Sequence, residues 1–243
     1  MGETINLVTA SDQSVDVFNT PAFPNTANQD FLRVTEVNYS PSAAQSGTEF
    51  IEFFNQNDAG VTLDLSGVTV SDGFSTPFVF PAGTTLAPQE FVVIVEDAIS
   101  FANTYTSIPV TQIVGQFDGS LNNNGETIQV DDSNGEKILE FRYSNVFPWP
   151  DVDSNGQSLN IIDSNSDGDL PTSWVAAAPS PGADAPTFLP GDVNQDGIVN
   201  FQDISPFISL LSAGGFLDEA DMNQDGVVDF LDISGFIDEL AMQ

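Results

Sequence analysis

Near its carboxyl end the chain carries a twelve-residue loop dense in side-chain oxygen, runs into an apolar stretch, and then does both again. The first copy, DVNQDGIVNFQD, spans Asp192 to Asp203, and the second, DMNQDGVVDFLD, spans Asp221 to Asp232. Oxygen donors fall at loop positions 1, 3, 5, 9 and 12 with Gly at position 6, the spacing by which one chain wraps itself around a hard cation such as Ca2+. In the first copy Asp192, Asn194 and Asp196 direct alternate oxygens inward, Ile198 lends its carbonyl, Asn200 acts through a water, and Asp203 closes the sphere. Asp221, Asn223, Asp225, Val227, Asp229 and Asp232 repeat those roles. One such loop reads equally well as a solvated acidic turn, but two full copies do not. Two Ca2+ ions are therefore expected.

The size of this segment points the same way. So short a stretch buries too little apolar surface to hold itself together without a disulfide, a metal or a partner. The chain has no Cys, which leaves the metal as the internal staple. Phe201, Ile204, Phe207, Ile208 and Leu211 lie at helical spacing, and Phe230, Ile233, Phe236, Ile237 and Leu240 repeat it. Two helices packed face to face are expected.

A tandem pair of loops closing on Asp, each followed by one helix, resembles the type I dockerin family, which is EF-hand-like but lacks the helix before each loop. The resemblance implies calcium binding and docking to a cohesin. In cellulosomal dockerins the recognition pair, often Ser-Thr, sits at loop positions 10 and 11. Those positions here hold Phe201 with Gln202 and Phe230 with Leu231. Bulky apolar groups in place of small hydroxyls leave two partners open, a cohesin-like protein or another copy of this chain.

The formal charge of −33 sets 36 acidic side chains against Arg33, Lys137 and Arg142. Such a chain repels nucleic acid and anionic lipid and offers no basic patch for either. With 40% hydrophobic residues and 20 Phe it is nevertheless too apolar to be a disordered acidic tail. No apolar run is long enough to span a membrane. The lack of Cys and His removes thiol, imidazole and zinc-type chemistry together. Calcium loops of this kind point to an extracellular or cell-surface location, with a signal peptide already removed from the chain.

From residue 31 to about 170 short runs such as LRVTEVNYS, EFIEFFN, EFVVIVED, ETIQVDD and KILEFRYS alternate with turn signals such as Asn124-Gly125 and Asn134-Gly135. The expected architecture is mainly β, an immunoglobulin-like antiparallel β-sandwich followed by the small α-helical module at 191–243. The ordered motifs TEVNYSP, EFIEFFNQ, LDLSGVTVSDG, FPAGTTLAPQEFVVI, GSLNNNGETIQVDDSNG and WPDVDSNGQSLNIID are similar to the lamin tail domain family in its bacterial secreted form. That resemblance implies binding or scaffolding without catalysis. Glu49 and Glu52 are the obvious carboxylate pair for a glycosidase, but their odd spacing on a strand sends them to opposite faces.

Alternatives stay open at the acidic half-loops and at the N-terminal segment. Asp151, Asp153, Asn155 and Gly156, and again Asp163, Asn165, Asp167, Gly168 and Asp169, are half-loops that read either as self-capped turns or, for 163–169, as a third ion site. Trp149 and Trp174 read as core or lid residues. Residues 171–190, with PTSW, PSPGADAP and FLPG, read as a semi-rigid polyproline spacer. Residues 1–30 read as an extended arm that adds a strand either to its own sandwich or to a neighbour, the latter giving a homo-oligomer or helical filament. The functional expectation is a secreted, non-enzymatic, calcium-binding structural or adhesive protein that self-assembles into an extracellular fibre or matrix through its N-terminal arm and calcium-locked tail, with an anchoring module that docks to a cohesin-like receptor as the alternative.

Overall fold

The computed structural model describes residues 4–8, 14–19, 24–71, 73–152, 156–183, 190–194, 199–223 and 226–241. Two strands, β1 (Thr4–Val8) and β2 (Ser14–Asn19), are followed by the short helix α1 (Ala27–Phe31) and by β3 (Leu32–Asn38), β4 (Phe50–Asn55), β5 (Leu63–Asp64), β6 (Thr69–Ser71), β7 (Phe78–Val79) and β8 (Thr85–Leu86). Then come β9 (Phe91–Val95), α2 (Ala98–Thr104), β10 (Ile113–Gln116), β11 (Thr127–Asp131), β12 (Lys137–Arg142), β13 (Ser158–Ile161) and β14 (Trp174–Ala177). Two helices, α3 (Ile204–Ala213) and α4 (Ile233–Ala241), close the chain.

A six-stranded sheet in the order β10-β9-β4-β3-β13-β14 faces a four-stranded sheet in the order β12-β11-β6-β7, with β5 and β8 paired separately. The core between them takes Val34, Val37, Ile51, Phe53, Val92 and Ile94 from the larger sheet and Val70, Phe78, Ile128, Val130 and Phe141 from the smaller. Alternation along each strand supplies these side chains, as period-two burial requires. The strand pairs are antiparallel except β9 with β10, which are parallel because α2 carries the chain between them. Asp97 starts that helix, its side chain accepting the N–H of Ser100 at 2.7 Å.

A register shift in β3 between Val34 and Glu36 sets which side chains face the core. Before it Leu32 and Val34 point inward, and after it Val37 and Tyr39 do. The extra residue at Thr35 thus reverses the parity of the strand, turning Glu36 and Asn38 to the outer face. That outer face is itself covered: Phe50, Val93, Val95 and Phe101 form a second apolar cluster, so β4 is buried from end to end.

Three expected boundaries move. Among its described residues the N-terminal segment adds no strand to its own sandwich; β1 pairs with β2 as a separate two-stranded sheet. The lead-in to the sandwich begins before residue 31, since α1 carries a capping box in which Thr26 and Gln29 each accept the other's N–H. The expected spacer at 171–190 begins later, because Trp174–Ala177 pairs along its whole length with β13. Beyond β14 the chain turns back over the outer face of the sheet, where Ser180 and Gly182 donate their N–H groups to Glu36 and Glu52. Residues 184–189 lie outside the described residues.

Burial pushes the Glu36 carboxyl up to about 7 and the Glu49 carboxyl up to about 8 from an ordinary 4.5. A carboxyl whose folded pKa exceeds its unfolded value stabilises the fold below the unfolded value and loses that contribution as pH rises through the folded one. The sandwich should accordingly unfold at a lower temperature at pH 8 than at pH 5 in saturating calcium. Both tryptophans pack on the sandwich core, so their fluorescence follows its unfolding, and saturating calcium holds the adjoining C-terminal module constant. A melting temperature that is flat or rises between these pH values would contradict the assignment.

Candidate metal centre in the C-terminal module

Each loop is organised by the aspartate at its twelfth position. Asp203 accepts the Asn194 N–H on one oxygen at 2.9 Å and the Asn200 N–H on the other at 2.8 Å. Asp232 accepts the Asn223 N–H at 3.1 Å and the Asp229 N–H at 2.8 Å. Each carboxylate therefore draws the start and the end of its loop together. Asp203 sits at the N-cap of α3 without capping it through its side chain, because that side chain is turned back into the loop. The following turn is fixed in the same way twice, with Gln202 N–H on the Asn200 side chain and Leu231 N–H on the Asp229 side chain, both at 2.7 Å. In the second loop Gly226, at a φ of 83°, also donates its N–H to Asp221 at 2.8 Å.

Asp192, Asp203, Asp221 and Asp232 are all buried, and the module contains no Lys or Arg. A buried carboxylate needs a counter-charge or a metal, and N–H donors alone compensate only part of the cost. The donor set consists of carboxylate and amide oxygens, which suits a hard divalent ion. Asp196, Ile198 and Asp225, also expected as ligands, lie outside the described residues. Among the described residues alone, no three acidic groups converge on one metal position.

The two helices meet through Phe207 and Phe236, whose rings stack 4.1 Å apart at 10°. Val193, Ala220 and Val228 complete the buried cluster, with Ile204, Leu211, Ile233 and Leu240 packed against it. The expected apolar faces do not pack in full. Phe201 and Phe230 are 82% and 80% exposed, and Ile208 and Ile237 are 56% and 55% exposed. The reason is geometric: in each half the loop-position-10 phenylalanine precedes the helix, and the isoleucine seven residues later follows it round to the side away from the Phe207–Phe236 stack. Leu231 is exposed beside them.

The acidic half-loops after β12 are tied into the chain. Asp163 accepts the Asn165 N–H at 2.8 Å, Asp167 accepts the Asp169 N–H at 3.0 Å, and Asp169 accepts the Arg142 N–H at 2.7 Å. They act as turn caps and as an anchor for β12. Asp153 and Asn155 lie outside the described residues. Trp174 is buried against Phe141 with its indole N–H on the Gly168 carbonyl, and Trp149 packs on the same core. Glu49 and Glu52 do not form a pair: Glu49 accepts the Leu121 N–H, whereas Glu52 lies on the outer face opposite Glu36. The Glu36–Glu52 juxtaposition is absent from the sequence reading, since it depends on the bulge at Thr35 and on strand register.

Replacing Phe207 by Ala should destabilise the C-terminal module by about 3–5 kcal/mol. Replacing Phe201 by Ala should change it by less than about 0.5 kcal/mol. Helical circular dichroism during denaturant unfolding at saturating calcium measures both, and equal losses would mean that the stacking does not carry the module.

No curated relative matches the chain. Among the described residues no helix is long and apolar enough to cross a membrane. The lamin tail and type I dockerin families are both non-catalytic module types, and type I dockerins bind calcium and imply a cohesin partner. Family models match in two stretches, the Lamin Tail Domain over residues 25–145 and the Dockerin type I domain over residues 190–241, so the chain carries a lamin tail domain followed by a type I dockerin domain.

Proposed function

We propose that the chain is a secreted, non-enzymatic adaptor whose C-terminal module is locked by two Ca2+ ions and docks to a cohesin-like protein through exposed apolar side chains. Asp192, Asn194, Asp196, Asn200 and Asp203, with the Ile198 carbonyl, hold the first ion. Asp221, Asn223, Asp225, Asp229 and Asp232, with the Val227 carbonyl, hold the second. The observation that carries the reading is one hydrogen-bond pattern repeated around Asp203 and Asp232, both fully buried in a module with no cationic residue. When bound, the ions supply the positive charge that these oxygens lack. The chain's own residues set the cage and place Phe207 against Phe236.

Docking follows from what the module leaves outside. Phe201 with Ile208, and Phe230 with Ile237, form the same exposed apolar pair in each half, surrounded by an acidic surface. The cations of any ion pair across that interface must come from the partner, which favours a receptor with Lys or Arg around an apolar platform.

A second reading, self-assembly into an extracellular fibre, is favoured by one observation. Among the described residues the β1–β2 sheet pairs with no other strand, and an isolated two-stranded hairpin is marginal in water unless it packs on something. Sedimentation of the purified full chain in calcium separates the two. Docking predicts a monomer that binds an immobilised cohesin, with at least tenfold weaker binding in the Phe201→Ala, Phe230→Ala double variant. Fibre formation predicts large species that vanish when residues 1–23 are deleted.

Removing calcium should unfold the C-terminal module and leave the sandwich intact. If free ion exceeds the dissociation constant by a thousandfold, each site contributes about 4 kcal/mol to the folded state. Addition of EDTA should abolish the helical dichroism of α3 and α4, and Asp203→Ala combined with Asp232→Ala should lose both calorimetric binding events. A spectrum indifferent to chelation would overturn the metal assignment.

A further inference from the structure

The outer face of the six-stranded sheet holds two glutamates directly opposite one another, Glu36 on β3 and Glu52 on β4. Directly opposed side chains in an antiparallel pair lie about 5 Å apart, and like charges there repel. Both residues are 1% exposed. Among the described residues no Lys or Arg faces them: the Arg33 guanidinium is held at the start of β3 by the carbonyls of Asp30 and Leu32, and Lys137 and Arg142 are on β12 of the other sheet.

The donors that satisfy the pair come from neighbouring strands and from the segment leaving β14. Glu36 accepts from the Ser158 hydroxyl and from the Ser180 N–H at 3.2 Å. Glu52 accepts from the Thr35 hydroxyl at 2.7 Å and from the Gly182 N–H. The covering segment reads Pro179-Ser180-Pro181-Gly182, so its two prolines have no N–H and its two remaining donors both reach a buried carboxylate. Gly182 has a φ of 82°, and a Cβ there would come within 2.9 Å of the Gln112 side chain. The strap is therefore seated between the carboxylates and the chain before β10.

We propose that Glu36 and Glu52 form a proton-controlled latch for residues 178–183, docking the strap while the pair retains a proton and releasing it when both carboxylates are charged. Two adjacent buried carboxylates cannot ionise together without a large repulsive cost, so the pair titrates as a unit. Burial places the Glu36 carboxyl at about 7, with the hydroxyl and N–H donors of Ser158 and Ser180 working against that rise. The other groups facing the pair are Tyr105 at the end of α2, whose phenol is pushed up by burial and stays neutral, and the neutral side chains of Asn38, Val93, Ser158 and Asn160. Asp184, the next ionisable residue along the chain, lies outside the described residues.

Release would free six residues of the connection between the sandwich and the C-terminal module, lengthening it by up to about 20 Å when extended. The latch is independent of the calcium loops and of the docking partner. It adjusts how far the C-terminal module can reach, in a window from about neutral to mildly alkaline pH.

Hydrogen exchange of the peptide covering residues 178–183, measured on the full chain in saturating calcium from pH 6 to pH 9 and corrected for intrinsic rates, tests the proposal. Protection should fall at least tenfold between these limits in the wild type. Glu36→Gln, which keeps an acceptor oxygen without a charge, should retain protection at pH 9, and Glu52→Gln should do the same. Constant protection from pH 6 to pH 9 would overturn the latch, as would an equal fall in both variants. Carbon NMR of the wild-type glutamate carboxyls gives a readout free of substitutions: a Glu36 or Glu52 resonance titrating above pH 6 is required, and titration of both below pH 5.5 would overturn it.

Discussion

Buried carboxylate without a cationic side chain is the constraint on which the C-terminal module depends. Asp203 and Asp232 are sealed from solvent, each between its own loop and the helix it begins, and nothing with a positive charge occurs in the sequence around them. The N–H groups of Asn194, Asn200, Asn223 and Asp229 hold their oxygens in place. They do not cancel the charge. A loop arranged in this way suits a hard divalent ion, and the same loop leads into the helix that carries Phe207 or Phe236 to their stack. Loop and helix pairing are one structural unit.

The sandwich manages its buried acids by other means. Glu36, Glu49 and Glu126 are all pushed toward the protonated form by burial and are met by hydroxyl and N–H donors. Glu126 takes the Tyr143 hydroxyl at 2.8 Å, and Tyr143 stacks on Tyr39 in the core. The guanidinium nearest to Glu36 in sequence, that of Arg33, is bound to backbone carbonyls. One chain thus contains aspartates spaced in sequence as metal ligands and glutamates that burial pushes toward the protonated form.

The parts legible in the sequence are those whose signal is local. Loop spacing from Asp192 to Asp203 and from Asp221 to Asp232, the turn glycines at 125 and 135, and the alternation along β3, β4, β9 and β11 each depend on residues a few positions apart. The parts that escaped are non-local or short. Trp174–Ala177 looks like the opening of a proline-rich spacer until β13 is placed beside it. Helix α2 is too brief to show a period. The apolar positions 201, 208, 230 and 237 fit a helical repeat, yet repetition alone does not say which stripe meets the partner helix and which meets water.

Taken by itself, the sequence determined that this chain has an all-oxygen pair of loops, a two-sheet domain ahead of them, and no side chains for thiol or imidazole chemistry. Those properties follow from residue type and near-neighbour spacing. Tertiary structure alone decided that Glu36 faces Glu52, that the strap at 178–183 seals them, and that Phe201 and Phe230 stand outside while Phe207 and Phe236 meet. The physical reason is that one extra residue at Thr35 reverses every side chain that follows it in β3, and no property of Thr35 by itself announces a bulge.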